Sequence, residues 1–199
     1  ERLETSRSAE EVRGEQNIPP GHMVIGYVGH DKPEKGAGEL LKAYKEVKER
    51  LPASRLALVG LKPHVWQERI GELGLAGDVR VIPRTERVAD YLQTFDLLVF
   101  PSYFIESQPN VIMEAMSMRK PVIGSDIGKI KDMIGAEFTF TGGDVAQIGQ
   151  KLARVANDPA LMERMAADNL ARCADFSELH RLEAILDIYR SALEENGLA

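Results

Sequence analysis

Cysteine, tryptophan and histidine are scarce in this chain of 199 residues, at one, one and four copies. A single thiol, Cys173, allows neither an internal disulfide nor a multi-cysteine metal site, and it fits a reducing compartment. It belongs on a helix as a small apolar side chain. His22, His64 and His180 lie far apart without acidic or cysteine company at ligand spacing, so no metal is expected. Long apolar runs are missing too: LLVF, at positions 97–100, is strand-sized and far short of a membrane span. Basic charge is in deficit, with 25 Lys and Arg against 31 Asp and Glu and a net charge of −6. That balance argues against a nucleic-acid surface, which needs excess Lys and Arg, so any bound anion must be held by a few local groups.

What is present suffices for a core. Hydrophobic residues make up 44% of the chain, and the length suits one large domain or one domain with appendages. Short apolar runs alternate with longer helical stretches: MVIGYVG then Ala37 to Arg50, RLALVG then Val65 to Leu73, VRVIP then Val88 to Thr94. LLVF then leads to Asn110 to Met118, and PVIGS follows. This rhythm predicts an α/β fold, a Rossmann-like, doubly wound parallel sheet with helices on both faces. A last strand, EFTF, precedes helices over Asp144 to Asn157, Pro159 to about Cys173 and Ser177 to Glu195. The first twenty residues are charged up to Ile18-Pro19-Pro20-Gly21 and read as a helix remnant and linker. Ligands of such sheets lie beyond the carboxyl ends of the strands, where Gly29, Gly60, Pro83 and Ser102 fall.

The most informative segment is PSYFIESQPNVIMEA, from Pro101 to Ala115. Proline tolerates the first helical turn, so Pro109 is expected at the first helical position with Ser107 or Gln108 capping. The amides of Gln108, Asn110 and Val111 would then favour an anion. Glu106 stands before this turn and Glu114 within the helix, offset by roughly 7 to 8 Å along the axis at about 1.5 Å per residue. A diphosphate repels both carboxylates, whereas a diol donates two hydrogen bonds to one. Phosphate in the middle with polyols at both ends describes a nucleotide diphosphate sugar.

PSYFIESQPNVIMEAMSMRKPVIGSDIG resembles the E-x7-E signature of retaining glycosyltransferases of the GT-B fold, family four in particular. The resemblance runs from about Ile18 to Leu193 and corresponds to the C-terminal, donor-binding half of such an enzyme. It implies that residues 1–20 are interdomain remnant and linker, and that 21–199 form the donor domain with its C-terminal helices. The expected partners are a nucleotide diphosphate sugar and the N-terminal acceptor half of the same protein, through which peripheral membrane contact would come. No nucleic acid and no cofactor are expected. The setting implied is the cytoplasm, at or away from the inner membrane face. The last helix resembles one that crosses back onto the acceptor half, so Leu182, Ile185, Leu186 and Tyr189 are expected either partly exposed or packed on the local core.

IGYVGHDKPEKGAGELLKAY, from Ile25 to Tyr44, is a strand, a glycine-bearing turn and a helix. Gly29 lets backbone approach a ligand, and Lys35-Gly36 opens the helix. The stretch resembles the family's glycine-rich phosphate loop, with Lys35 matching its lysine. His30 stands where an arginine is usual, and neutral imidazole offers one donor in place of a cationic fork. Either Lys32 restores the charge or the site holds phosphate less tightly. Ile82, Pro83 and Arg84 match the residues that hold the base. Arg119 stands in place of a turn glycine; an arginine at positive φ is strained, so a turn of different shape is expected. Lys129 also replaces a glycine and reads as solvated, and Asp132 replaces a glutamate. Trp66 reads as a core or helix-packing residue. Met113, Met116 and Met118 read as core filler.

The resemblance implies a hexosyl transfer with retention and without metal, in glycan, polysaccharide or glycolipid synthesis; the absence of an Asp-x-Asp pair removes the metal clamp of the other glycosyltransferase fold. Glu106 and Lys35 are the expected catalytic residues, with Glu114 on the ribose. Without the acceptor half, little or no transfer is expected. Two alternatives stand beside this reading: a non-catalytic nucleotide-sugar binding module of the same descent, and a GT-B enzyme that epimerises or hydrolyses a nucleotide sugar.

Overall fold

The computed structural model describes residues 4–104, 109–176, 186 and 189. Six strands form one sheet: β1 (Met23–Val28), β2 (Ser54–Val59), β3 (Val79–Ile82), β4 (Leu97–Phe100), β5 (Val122–Ser125) and β6 (Thr139–Phe140). Their order is β3-β2-β1-β4-β5-β6 and every neighbouring pair is parallel. β1 pairs with β2 along its whole length, from Met23 opposite Ser54 to Val28 opposite Val59, and with β4 through Ile25 and Leu97. The expected Rossmann-like sheet is present. Continuous apolar strands follow from burial on both faces, and Val24, Ile25, Leu56, Leu58, Leu97, Leu98, Val122 and Ile123 are all fully enclosed. The strand order reverses between β1 and β4, which opens a crevice at the carboxyl ends.

Between the strands run α2 (Ala37–Val47), α3 (Pro63–Glu72), α4 (Val88–Leu92) and α5 (Asn110–Ser117), with α7 (Val145–Ala156) and α8 (Pro159–Cys173) after the sheet. α2 packs against α7, and α5 against α8. Leu40, Leu41, Ala43 and Tyr44 form the inner face of α2, at the spacing a helix needs. Three details differ from expectation. The stretch to Arg50 is α2 followed by a tighter turn, Lys48–Arg50. EFTF contributes only Thr139 and Phe140 to the sheet, because Ala136–Phe138 form a 3-10 turn. A helix not expected, α6 (Ile130–Ile134), fills the gap before β6.

Cys173 closes α8 as a half-buried thiol that donates to the Met113 carbonyl at 3.7 Å, and burial pushes its pKa up. Met116 is fully buried, with Met113 and Met118 packed against the same core, as filler residues should be. The helix expected over Ser177 to Glu195 lies outside the described residues except at Leu186 and Tyr189. Both are helical and exposed, at 50% and 65%. Among the described residues, no helix is long and apolar enough to cross a membrane.

The N-terminal segment is fastened to the domain. α1 (Ala9–Glu15) starts on a capping box in which Ser8 and Glu11 exchange backbone-to-side-chain bonds. Before it, the buried Asp90 carboxylate accepts from the Ser6 amide and hydroxyl, both at 2.7 Å, and from the Arg7 amide and Nε at 3.3 and 3.1 Å. Burial alone would raise this carboxyl, but the four donors bring it down to about 2. Further along, the Arg13 guanidinium donates to Asp96, Thr94 and His22.

Candidate functional site

The loops that follow β1, β2 and β3 meet above the carboxyl ends of the strands. Gly29 donates its amide to Val59 at 3.0 Å, and Gly60 donates to Ile82 at 2.9 Å, so each loop leaves its strand in contact with the next. Gly60 has φ +96°, and a Cβ there would lie 2.2 Å from the Gly29 carbonyl oxygen, so only glycine fits. The loops enclose a cleft of about 500 Å³ lined by His30, Lys32, Lys62, His64, Pro83 and Arg84, among others. Among the described residues, Lys32, Lys62 and Arg84 form no ion pair. An acidic chain thus gathers three cations against a single carboxylate, Asp31, at one place, a local excess of positive charge suited to holding an anion. Lys62 and His64 carry no sequence signal beyond following a strand end; only the fold brings them to the cleft.

Lys35 ends a single 3-10 turn, Pro33–Lys35, and Gly36 then caps α2 at φ +74°. A Cβ on Gly36 would lie 2.2 Å from the Pro101 carbonyl oxygen. The Glu34 carbonyl accepts from the Tyr103 amide at 3.0 Å and from the Ser102 hydroxyl at 3.3 Å. The Ser125 hydroxyl in turn donates to the Ser102 carbonyl. The lysine turn is therefore fixed against residues 101–103, the start of the E-x7-E segment. Glu106, Ser107 and Gln108 lie outside the described residues.

Pro109 is the N-cap of α5, with φ −69° and ψ 119°, and Asn110 is the first helical residue. This corrects the expected start by one position: proline's fixed φ serves either place, and the extended ψ puts it outside the helix. The Pro109 carbonyl accepts from Ile112 at 3.1 Å, and the Asn110 and Val111 amides have no acceptor among the described residues. Glu114 is half-buried in the second turn, and burial raises its carboxyl above the ordinary value. Among the described residues no side chain or amide donates to its carboxylate. It faces a second cleft, of about 330 Å³, with Glu4, Ser6, Glu86, Arg87 and Asp90. Both clefts share the loop after β3: Pro83 and Arg84 line the first, Glu86 and Arg87 the second. Ile82 is buried beneath that loop.

The remaining positions divide. Arg119 adopts φ +56°, with its amide on the Met116 carbonyl and the Lys120 amide on Ala115. This is the glycine-type helix stop retained with an arginine in it, which corrects the expectation of a different turn. Lys129 and Asp132 are exposed at the start of α6. Trp66 is buried, and its indole N–H donates to Asp31 at 3.0 Å. Among the described residues no group of His, Cys, Asp and Glu is arranged to hold a metal.

A doubly wound sheet of this order, with a cleft built by the loops after β1, β2 and β3, is one half of the GT-B glycosyltransferase architecture. The chain belongs to the glycosyl transferases of group 1, whose family model matches residues 8–171. It is 29% identical over 198 residues to a D-inositol 3-phosphate glycosyltransferase of Nocardia farcinica, an alignment covering 92% of this chain and 44% of that one. The chain thus spans less than half the length of the curated relatives it matches. HepE of Anabaena, solved in complex with UDP and glucose, superposes with TM-score 0.80 at 20% identity, over 92% of this chain and 52% of its own. The C-terminal domain of LpcC, a glycosyl transferase group 1 family protein of Francisella tularensis, superposes with TM-score 0.73 at 18% identity, over 85% of this chain and 93% of its own. The chain corresponds to the C-terminal domain of this family.

Proposed function

We propose that the chain is the donor-binding half of a retaining, metal-independent glycosyltransferase of family four. It would move a hexose from a nucleotide diphosphate sugar to an acceptor in cytoplasmic glycan, polysaccharide or glycolipid synthesis. The observation that carries this reading is the packing of the Lys35 turn against Pro101–Tyr103. It joins a cationic loop to the segment leading into α5, whose first amides lack acceptors and whose Glu114 lacks a donor among the described residues. HepE, which shares the fold, supports a UDP-type donor through its own complex.

In the reaction the bond between the anomeric carbon and a phosphate oxygen breaks. Negative charge grows on the departing diphosphate and positive charge on the sugar, so fixed dipoles and cations lower the barrier. Lys35, His30 and the amides of Asn110 and Val111 receive the diphosphate, with Gly29 allowing close approach and Pro109 shaping the turn. Cationic side chains and amides supply the neutralisation that a metal provides elsewhere, which is the argument for metal independence. Glu106 holds the sugar hydroxyls, Ser107 and Gln108 contact the donor beside it, Glu114 takes the ribose diol, and Ile82, Pro83 and Arg84 frame the base. Residues 21–199 form the donor domain and 1–20 join it to an N-terminal acceptor half, without which the chain binds donor but transfers little.

Calorimetric titration with UDP, GDP and ADP tests the reading. One nucleotide series should bind; Lys35→Ala should weaken diphosphates selectively, and Glu114→Ala should weaken every ribose-bearing ligand. No binding of any of the three at millimolar concentration refutes it. Retention and metal independence are checked with the acceptor half present, by the anomeric configuration of the product and by a rate that chelator leaves unchanged.

A further inference from the structure

The loop between β1 and α2 carries His30, Lys32 and Lys35 and is fastened at both ends. Its far end is held through the Glu34 carbonyl, by Tyr103 and Ser102. At its near end the Gly29 amide donates to Val59 and the Tyr27 hydroxyl to the His30 carbonyl at 3.4 Å, and one side chain ties the loop across to α3. Asp31 accepts from the Trp66 indole N–H at 3.0 Å on one carboxylate oxygen, and from the Lys62 amide at 3.3 Å on the other. Trp66 is only 4% exposed, and the Arg69 guanidinium lies over its ring at 5.4 Å. An exposed loop residue is thereby anchored to a buried one in α3. Each carboxylate oxygen accepts one N–H bond, and Asp31 itself lines the cleft with Lys32, Lys62 and Arg84, so one fixed negative charge stands among three cations there.

We propose that Asp31 is a positioning residue for the diphosphate: through Trp66 and Lys62 it holds the β1–α2 loop so that Lys32 and Lys35 face the phosphates. The inference rests on the donor-binding reading above. Without the tether the cations must be ordered at the moment of binding, and that cost falls on ligands with phosphates. Contacts to base and ribose come from other loops and are untouched. The sign of the effect is diagnostic. Deleting a negative charge beside Lys32 would by Coulomb attraction alone tighten a diphosphate, so weakened binding can only come from lost positioning.

The test compares UDP, GDP and ADP with uridine, guanosine and adenosine by calorimetry on this chain and on Asp31→Ala, Asp31→Asn and Trp66→Phe. Trp66 is the chain's only tryptophan, so its emission also reports on the tether. The diphosphate that binds should bind Asp31→Ala about tenfold more weakly, the loss of a charge-assisted hydrogen bond, with its nucleoside unchanged within about twofold. Asp31→Asn keeps one acceptor and should fall between. Trp66→Phe should reproduce the diphosphate-selective loss with the Asp31 charge intact. Diphosphate should shift Trp66 emission in the unsubstituted chain and not in Asp31→Ala. Equal or tighter diphosphate binding by Asp31→Ala overturns the inference, as does an equal loss for nucleoside and diphosphate. Failure of all three diphosphates to bind the unsubstituted chain overturns the donor reading itself, and that failure shows before any variant is made.

Discussion

Gly36 stands so close to Pro101 that a Cβ on it would lie 2.2 Å from the Pro101 carbonyl oxygen. The contact fixes the lysine turn to the end of β4, and two constraints act on it together. The backbone is at φ +74°, where a side chain is strained, and the space is filled by main chain that cannot swing aside. Gly36→Ala should therefore destabilise the fold by about 3 kcal/mol, combining backbone strain with overpacking. It should also weaken diphosphates more than nucleosides. Urea denaturation and calorimetry on the same preparation check both halves; an alanine variant of unchanged stability would mean the turn is not held there.

The strands were legible because burial on both faces forces continuous apolar runs such as Leu97–Phe100, and the helix carrying Glu114 because Pro109 marks its start. Contacts between distant segments left no such mark. Asp31 and Trp66 are 35 residues apart and Ser6 and Asp90 are 84 apart, and neither pairing has a period or a motif. The five-residue α6 was missed, whereas α4 of the same length was read from the strand-and-helix alternation around it. The arginine at the end of α5 was read from its steric preference alone, whereas the Met116 and Ala115 carbonyls need those two amides in that geometry and override it.

Arg119→Gly should stabilise the chain. A non-glycine residue in the left-handed region costs about 1–2 kcal/mol, and glycine's extra freedom when unfolded returns roughly 0.5 kcal/mol of that. The exposed pair between Arg119 and Glu163 contributes little, because solvent screens it. A net gain of about 1 kcal/mol is expected, seen as a higher urea midpoint at unchanged slope.

Asp90→Asn should loosen the N-terminal segment. The carboxylate is buried and its four donors come from Ser6 and Arg7 alone. Its pKa is lowered from 3.8 to about 2, so its stabilisation is complete above pH 4 and is lost as pH falls through 2. At neutral pH the variant should be less stable by about 2 kcal/mol. The gap should close between pH 4 and pH 2, and protease cleavage near Ser6 should speed up only where the gap is open. A gap that stays constant across that range would assign the effect to packing.

Glu114 behaves in the opposite sense. Burial raises its carboxyl above 4.5, so the folded chain loses stability as pH rises through that raised value and regains it as pH falls. Glu114→Gln should accordingly leave the unliganded chain as stable or slightly more stable at pH 7, while weakening nucleosides by about 2 kcal/mol through loss of two charge-assisted bonds from the ribose diol. The diol bonds only to the ionised form well, so binding must lower the carboxyl again and release protons. Nucleoside affinity should fall toward tenfold per pH unit below the raised value in the unsubstituted chain and stay flat in Glu114→Gln. Calorimetry in buffers of different ionisation enthalpy between pH 4.5 and 7 measures both the affinity and the proton count. A pH-independent affinity with no proton release would place the ribose away from Glu114 and move the nucleoside out of the second cleft.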